Sequence, residues 1–387
     1  MRNRKHHGIA LITAIWILAL LLILVGGLAA MVHSESKIAE NFGQLTHARW
    51  AAVAGIRRAE VEVLRVAAQP ATALGDGELT LTSQQEETNL DHASYTVVIA
   101  DEAGKLNLNS ASPEVLGKFF PPEVADPILD WRDTDNTPRP QGAEDDYYTG
   151  LAAPYHCKNK PFDTVDELLL VKGVTPELLA APIVADGHPL RALLTVYSHD
   201  RNVDAHLQPR INIATASKDD LARQLGDVFT AEEITAIIQQ RTTKAFTSPA
   251  DLLEVPKLSR EKVGKAYDRL TTTTAKERPG LLNINTAPAE LLAGLPGMDD
   301  AAARAIVAQR TDQGPFTDVG ELLTISAVTN TTFQQVADLL TTRSTTFCLH
   351  ATGQAGDGIT RTVTSVVQVE TDAQQQSVLR TLYWRER

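Results

Sequence analysis

The sequence predicts an α+β fold: one long N-terminal helix packed on a small antiparallel sheet, with a large all-α insertion made of repeats. Three observations predict it. An uncharged run of 24 residues, Ile9 to Val32, continues into a segment of helical periodicity that ends near Ala68. A four-element motif recurs three times in the middle of the chain. Strand-like segments lie on both sides of those repeats.

Composition sets the outer bounds. At 387 residues the chain has room for two or three domains. Asp and Glu number 48 against 36 Lys and Arg, a net charge of -12, so no broad attraction to nucleic acid is expected. Two cysteines, Cys157 and Cys348, exclude a disulfide-rich scaffold and a cysteine-based zinc cluster. There is no Ser-His-Asp constellation and no phosphate loop, so no enzyme is expected.

The first element is the apolar run. At about 1.5 Å per residue it reaches about 36 Å, enough to cross a hydrocarbon core of about 30 Å. It is longer than the apolar part of a secretory signal. Arg2, Arg4 and Lys5 precede it and Glu35 is the first charge after it, which places the N-terminus in the cytoplasm and the bulk of the chain outside. Beyond the membrane, Ile38, Phe42, Leu45, Trp50, Val53, Ile56, Val61 and Leu64 form a drifting apolar stripe, and Pro70 and Gly75 mark the stop. A plain uncleaved anchor and a stalk helix are the simpler readings of these features.

The repeats come next. "LNLNSA" at Leu106, "INIATA" at Ile211 and "LNINTA" at Leu282 each open a copy. Each copy then has a short helical run, an apolar stretch ending in Arg132, Arg241 or Arg310, and a Phe with a leucine pair at Phe162, Phe246 or Phe316. Ser110, Thr215 and Thr286 are the expected N-caps. The pattern resembles helix-hairpin-helix modules, which hold phosphate on a glycine turn. Here the best hairpin, "GLPGMDDAAARAIV", has a turn followed by Asp299 and Asp300, which would repel phosphate.

The copies differ in one interval. Arg132 and Phe162 lie 30 positions apart, Arg241 and Phe246 5, and Arg310 and Phe316 6. The first copy therefore carries an insertion, "DTDNTPRPQGAEDDYYTGLAAPYHCKNK", with Pro138, Pro140 and Gly142 barring a helix through its middle. Clustered carboxylates on an irregular loop suit a hard, oxygen-seeking cation such as calcium. A solvated acidic loop is the alternative, and a two-metal hydrolase finds no other support. After the repeats, the segment from Thr346 reads as strands with turns at "GQAGDG" and "TDAQQQ".

Three features carry a family resemblance. Polar and basic residues up to Gly8, followed by the apolar run, resemble the leader of type IV pilins and type II secretion pseudopilins. The fifth position after Gly8 is Thr13, where most of that superfamily has Glu, and this is typical of the K-type minor pseudopilin. "ILDWRDTDNTPRPQGAEDDYY" is similar to the K-type acidic loop.

The resemblance implies a pilin-like fold with SAM-like helical units. It implies cleavage by a prepilin peptidase between Gly8 and Ile9, with Ile9 then N-methylated, and an inner-membrane anchor. It implies calcium, as one or two ions, at Asp133, Asp135, Glu144, Asp145 and Asp146. The partners it implies are I-type and J-type minor pseudopilins, with H-type and secreted proteins further candidates, and no nucleic acid.

The expected organisation is a leader at 1–8, a membrane segment at 9–32 and an outer helix at 33–69. Strands at 70–108 follow, then a first helical unit at 109–205 with its acidic loop at 132–160, a second at 206–275 and a third at 276–343. Strands at 344–387 complete it. Two such units are expected of the family and three are seen. The rival readings are a membrane-tethered DNA receptor and a type IV pilus tip subunit. Cys157 and Cys348 form either a bridge or two free thiols.

Overall fold

The computed structural model describes residues 7–75, 77–84, 90, 93–185, 187–356, 358–371 and 376–387. Most of the expected leader, residues 1–6, lies outside the described residues. Helix α1 (His7–Ala67) is continuous, so Gly8 and Ile9 sit in its first turn. The side chains from Ile9 to Val32 are exposed apart from a half-buried Ala19, which suits a segment whose surroundings are lipid. Thr13 satisfies its hydroxyl within the helix, on the carbonyls of Ile9 and Ala10.

The sheet has five antiparallel strands, β1 (Glu78–Thr82), β2 (Ala93–Asp101), β3 (Thr346–Ala355), β4 (Ile359–Thr371) and β5 (Ser377–Glu386), paired in that order. The helical insertion leaves the sheet after β2 and returns at β3, whose Cys348 pairs with Ala100. Alternation along the strands turns Tyr95, Val97, Ile99, Phe347, Leu349, Val363 and Val367 toward α1.

The helix meets them with a face of small residues: Ala48, Ala51, Ala52, Ile56, Ala59 and Val63 are buried. Small side chains let backbone approach backbone. A methyl group at Gly353 would lie 1.9 Å from the Ala48 carbonyl oxygen, so β3 needs a glycine there. This corrects the expected stripe. Ile56 belongs to the buried face, but Ile38, Phe42, Trp50 and Val61 are exposed, Phe42 by 72% and Trp50 by 58%.

The three helical units share a common closure. A two-residue parallel ladder joins the start and end of each: Leu106–Asn107 with Leu194–Thr195, Ile211–Asn212 with Leu270–Thr271, and Leu282–Asn283 with Leu340–Thr341. The first unit thus opens within the segment assigned to strands. In each opening the ladder asparagine, Asn107, Asn212 or Asn283, accepts a hydrogen bond from the N–H two residues on. The expected N-caps are therefore displaced. Ser112 and Ser217 cap the helices that follow, and Pro288 holds that position in the third unit without a side-chain bond. Ser110, Thr215 and Thr286 lie in the turn before the cap.

The third unit is fastened to the sheet through buried polar groups. Asn283 Nδ2 donates to Asp101 Oδ2 at 2.8 Å and to the Thr72 carbonyl at 3.0 Å, and Thr286 Oγ1 donates to the same carboxylate at 2.6 Å. Burial pushes the Asp101 carboxyl up despite these donors.

Candidate metal centre in the first helical unit

The acidic loop grows from the end of helix α3, which follows α2 (Pro113–Phe119) and spans Pro122–Arg132. Arg132 donates to the carbonyls of Leu108 and Ala111. Arg241 does the same to Ile213 and Ala216, and Arg310 to Ile284 and Ala287. The repeated arginine is thus a bolt that ties each apolar helix to the opening of its own unit. Burial, with Arg139 nearby, lowers Arg132 to about 10.

Beyond the bolt the first unit departs. Asp130, wholly buried, accepts from Arg139 Nη1 at 2.5 Å, from the Arg139 N–H and from the Ala143 N–H. Gly142 makes this possible: a Cβ there would stand 1.8 Å from Asp130 Oδ2. Arg139 Nη1 also reaches Asp133 Oδ2 at 2.6 Å. The other end of the loop is seated on aromatic rings, with Trp131 edge-on to Tyr148 at 5.2 Å and stacked on Phe162 at 6.5 Å. Asn159, at a positive φ of 46°, donates to the Asp135 carbonyl at 2.9 Å and closes the loop between its two halves.

This frame brings three of the five expected ligands together. Asp133, Asp135 and Glu144 each offer a carboxylate oxygen within 4.8 Å of the others. Among the described residues, Asp133 Oδ1 and both Glu144 oxygens are buried and accept no bond from an N–H or O–H group, and the Cys157 thiol is the one group set to donate to Glu144. Burial, reinforced by Asp130, Asp133 and Asp135, raises Glu144 to about 7. A carboxylate 3% exposed with no donor stronger than a thiol is costly, and a divalent cation between these groups would repay that cost. The donor set fits calcium: all oxygen, on a loop.

The other two residues are placed differently. Asp145 accepts from the Cys157 N–H at 2.9 Å and faces His156 Nδ1 at 3.0 Å, contacts that hold its carboxyl below the usual range. Asp146 is exposed in the short helix α4 (Asp145–Thr149). Sequence reasoning missed Asp130, Arg139 and Gly142 as the scaffold of the site. Asp130 lies inside the quoted loop motif, but nothing short of the fold distinguishes a buried anchor from a ligand. Cys157 and Cys348 are free thiols, and burial pushes each up to about 12.

The third unit's hairpin is poorly suited to phosphate. The Gln335 side chain lies against Gly297, and Asp299 caps the following helix through the Ala302 N–H.

Fold and site define a chain with one apolar helix long enough to cross a membrane, whose sheet carries an inserted set of helical units, one of them fitted with an acidic loop. Residues 116–184 match the family model "Type II secretion system (T2SS), protein K", and residues 280–341 match "Helix-hairpin-helix motif". Over residues 116–184 the chain is thus similar to the type II secretion system protein K family.

Type II secretion system protein K of Pseudomonas aeruginosa is 30% identical over 200 residues, 44% of this chain and 58% of that protein. The protein of that name from Pectobacterium carotovorum is 34% identical over 31% of this chain and 33% of its own length. The one from Klebsiella pneumoniae is 24% identical over 72% and 85%. The chain thus spans 58% and 33% of the first two relatives. A chain in the crystal structure of the GspK-GspI-GspJ complex from enterotoxigenic Escherichia coli superposes with a TM-score of 0.44 at 13% identity, covering 91% of this chain and 99% of that one. That likeness is too loose to align individual residues.

Proposed function

We propose that this chain is a minor pseudopilin that caps the tip of the periplasmic pseudopilus of a type II secretion system, a structural subunit that aids assembly and export. One observation carries the reading. The whole insertion, from Leu106 to Thr341, sits between two neighbouring strands of the sheet on the outer half of α1. A fibre built by stacking such helices leaves no room for another head above one this large.

Other features support it. Thr13 needs no charged partner from a subunit ahead. Trp50 and Val61 are exposed on the part of α1 that the sheet holds, and they offer apolar surface to neighbouring helices. I-type and J-type pseudopilins are the proposed neighbours, with H-type and secreted proteins as further partners. The reading includes cleavage between Gly8 and Ile9, N-methylation of Ile9, a cytoplasmic N-terminus and calcium held by Asp133, Asp135 and Glu144.

Full-length chain purified in detergent with candidate I- and J-type partners tests this. The expected outcome is a ternary complex in calcium that weakens in chelator. No complex in either condition contradicts the reading.

A further inference from the structure

The sheet face turned away from α1 is partly roofed by the first helical unit, leaving a cleft of about 340 Å³ over β3, β4 and β5. Its charges are unbalanced. Glu102 is already engaged by Lys105 at 2.6 Å and by the Thr195 hydroxyl. That leaves the side chains of Arg191, Arg385 and Arg387 facing a single side-chain carboxylate, Asp166. Arg191 hydrogen-bonds to Asp166, and Arg385 stands 3.8 Å from its other oxygen. Arg387 has no ion pair among the described residues. Tyr197 and Tyr383 also line the cleft, and their hydroxyls make no hydrogen bond among the described residues.

Tyr383 and Arg385 of β5 line the cleft, and β5 is a ten-residue strand paired only with β4 among the described residues. Arg387 and Thr362 exchange both backbone hydrogen bonds. By the alternation of an antiparallel ladder, the N–H and C=O groups of Trp384 and Glu386 then point away from β4. An open edge of this length is a template for another strand.

We propose that the cleft and the free edge of β5 together dock an extended acidic segment of a partner protein. The segment pairs along β5, and its carboxylates take the place that Asp166 now holds between Arg191 and Arg385. Asp166 shows that the two arginines already converge on one carboxylate, Arg191 through a charge-assisted hydrogen bond and Arg385 through a looser ion pair at 3.8 Å. The site is separate from the acidic loop and does not depend on calcium.

The test uses full-length chain in detergent micelles and a fluorescent peptide of alternating Val and Glu. Its Lys-for-Glu counterpart is the control, and anisotropy is the readout. Saturable binding of the acidic peptide alone is expected, weakening with added salt. The double variant Arg191→Ser, Arg385→Ser should bind at least about tenfold more weakly with an unchanged melting temperature. Asp166→Asn, which frees both arginines, should tighten binding about threefold. The proposal is overturned if the acidic peptide does not bind, if the double variant binds as well as the parent, or if Asp166→Asn binds more weakly. It is equally overturned if free glutarate displaces the peptide at the concentration where the peptide itself binds, because the cleft would then hold a small anion rather than a strand.

Discussion

Arg132 in the first helical unit and Arg310 in the third make the same pair of hydrogen bonds to the opening turn of their own unit. Yet the chain takes 30 positions to reach Phe162 in one and 6 to reach Phe316 in the other. Asn109 and Asn285 even clamp those phenylalanines alike, each donating to the Phe carbonyl and accepting from its N–H. The difference teaches which residues serve the frame and which serve the site. Ladder, arginine bolt and asparagine clamp recur, so they hold the fold. The carboxylates, the Asp130–Arg139 pair and the aromatic seat occur once, in the loop.

The largest expected effect separates the two roles. Arg132→Ala and Arg310→Ala should each lower stability by about 3 kcal/mol, since each leaves two inward carbonyls without a donor. Only Arg132→Ala should also weaken calcium binding, because α3 leads directly into Asp133. Chemical denaturation paired with calcium titration measures both. Equal calcium affinity in the two variants would break the comparison.

A smaller effect distinguishes the units by their caps. After the phenylalanine, Thr164, Ser248 and Asp318 occupy the same place, each donating its N–H to an acid three residues on. In the third unit that cap is itself an acid. Burial, with Asp268 and Glu321 near, raises Asp318 to about 7 from an ordinary 3.8. A carboxyl raised on folding stabilises when protonated, so this contribution is present at low pH and lost as pH rises through about 7. Asp318→Ser should remove about 1 kcal/mol of the gain in stability that the parent shows between pH 8 and pH 5.5. Thermal melts at the two pH values check it, and an unchanged pH dependence would count against a raised Asp318 carboxyl.

Much of this was legible in the sequence because it rests on pattern. The uncharged run, the three motif copies and the extra residues after Arg132 are visible to periodicity and counting alone. Less was legible where the answer depends on what packs opposite. The drifting apolar stripe through Ile38, Phe42, Trp50 and Val61 did not reveal which side of α1 meets the sheet, because β3 approaches so closely at Gly353 that alanines line the contact. The caps were displaced by two residues because the ladder asparagines turn the chain first. Among five loop carboxylates, sequence could not separate Asp145, claimed by His156 and the Cys157 N–H, from Glu144, left buried with no donor stronger than a thiol.

The comparison between the units rests most heavily on that buried Glu144. The most direct measurement is calcium titration of the full-length chain by calorimetry, for the parent, Glu144→Gln and Asp146→Asn. The account predicts saturable binding that strengthens as pH rises through about 7, because a deprotonated Glu144 is the form that needs the cation. It predicts at least a tenfold loss in Glu144→Gln and parent-like affinity in Asp146→Asn. Equal affinity in all three proteins, or no binding by the parent, would contradict it.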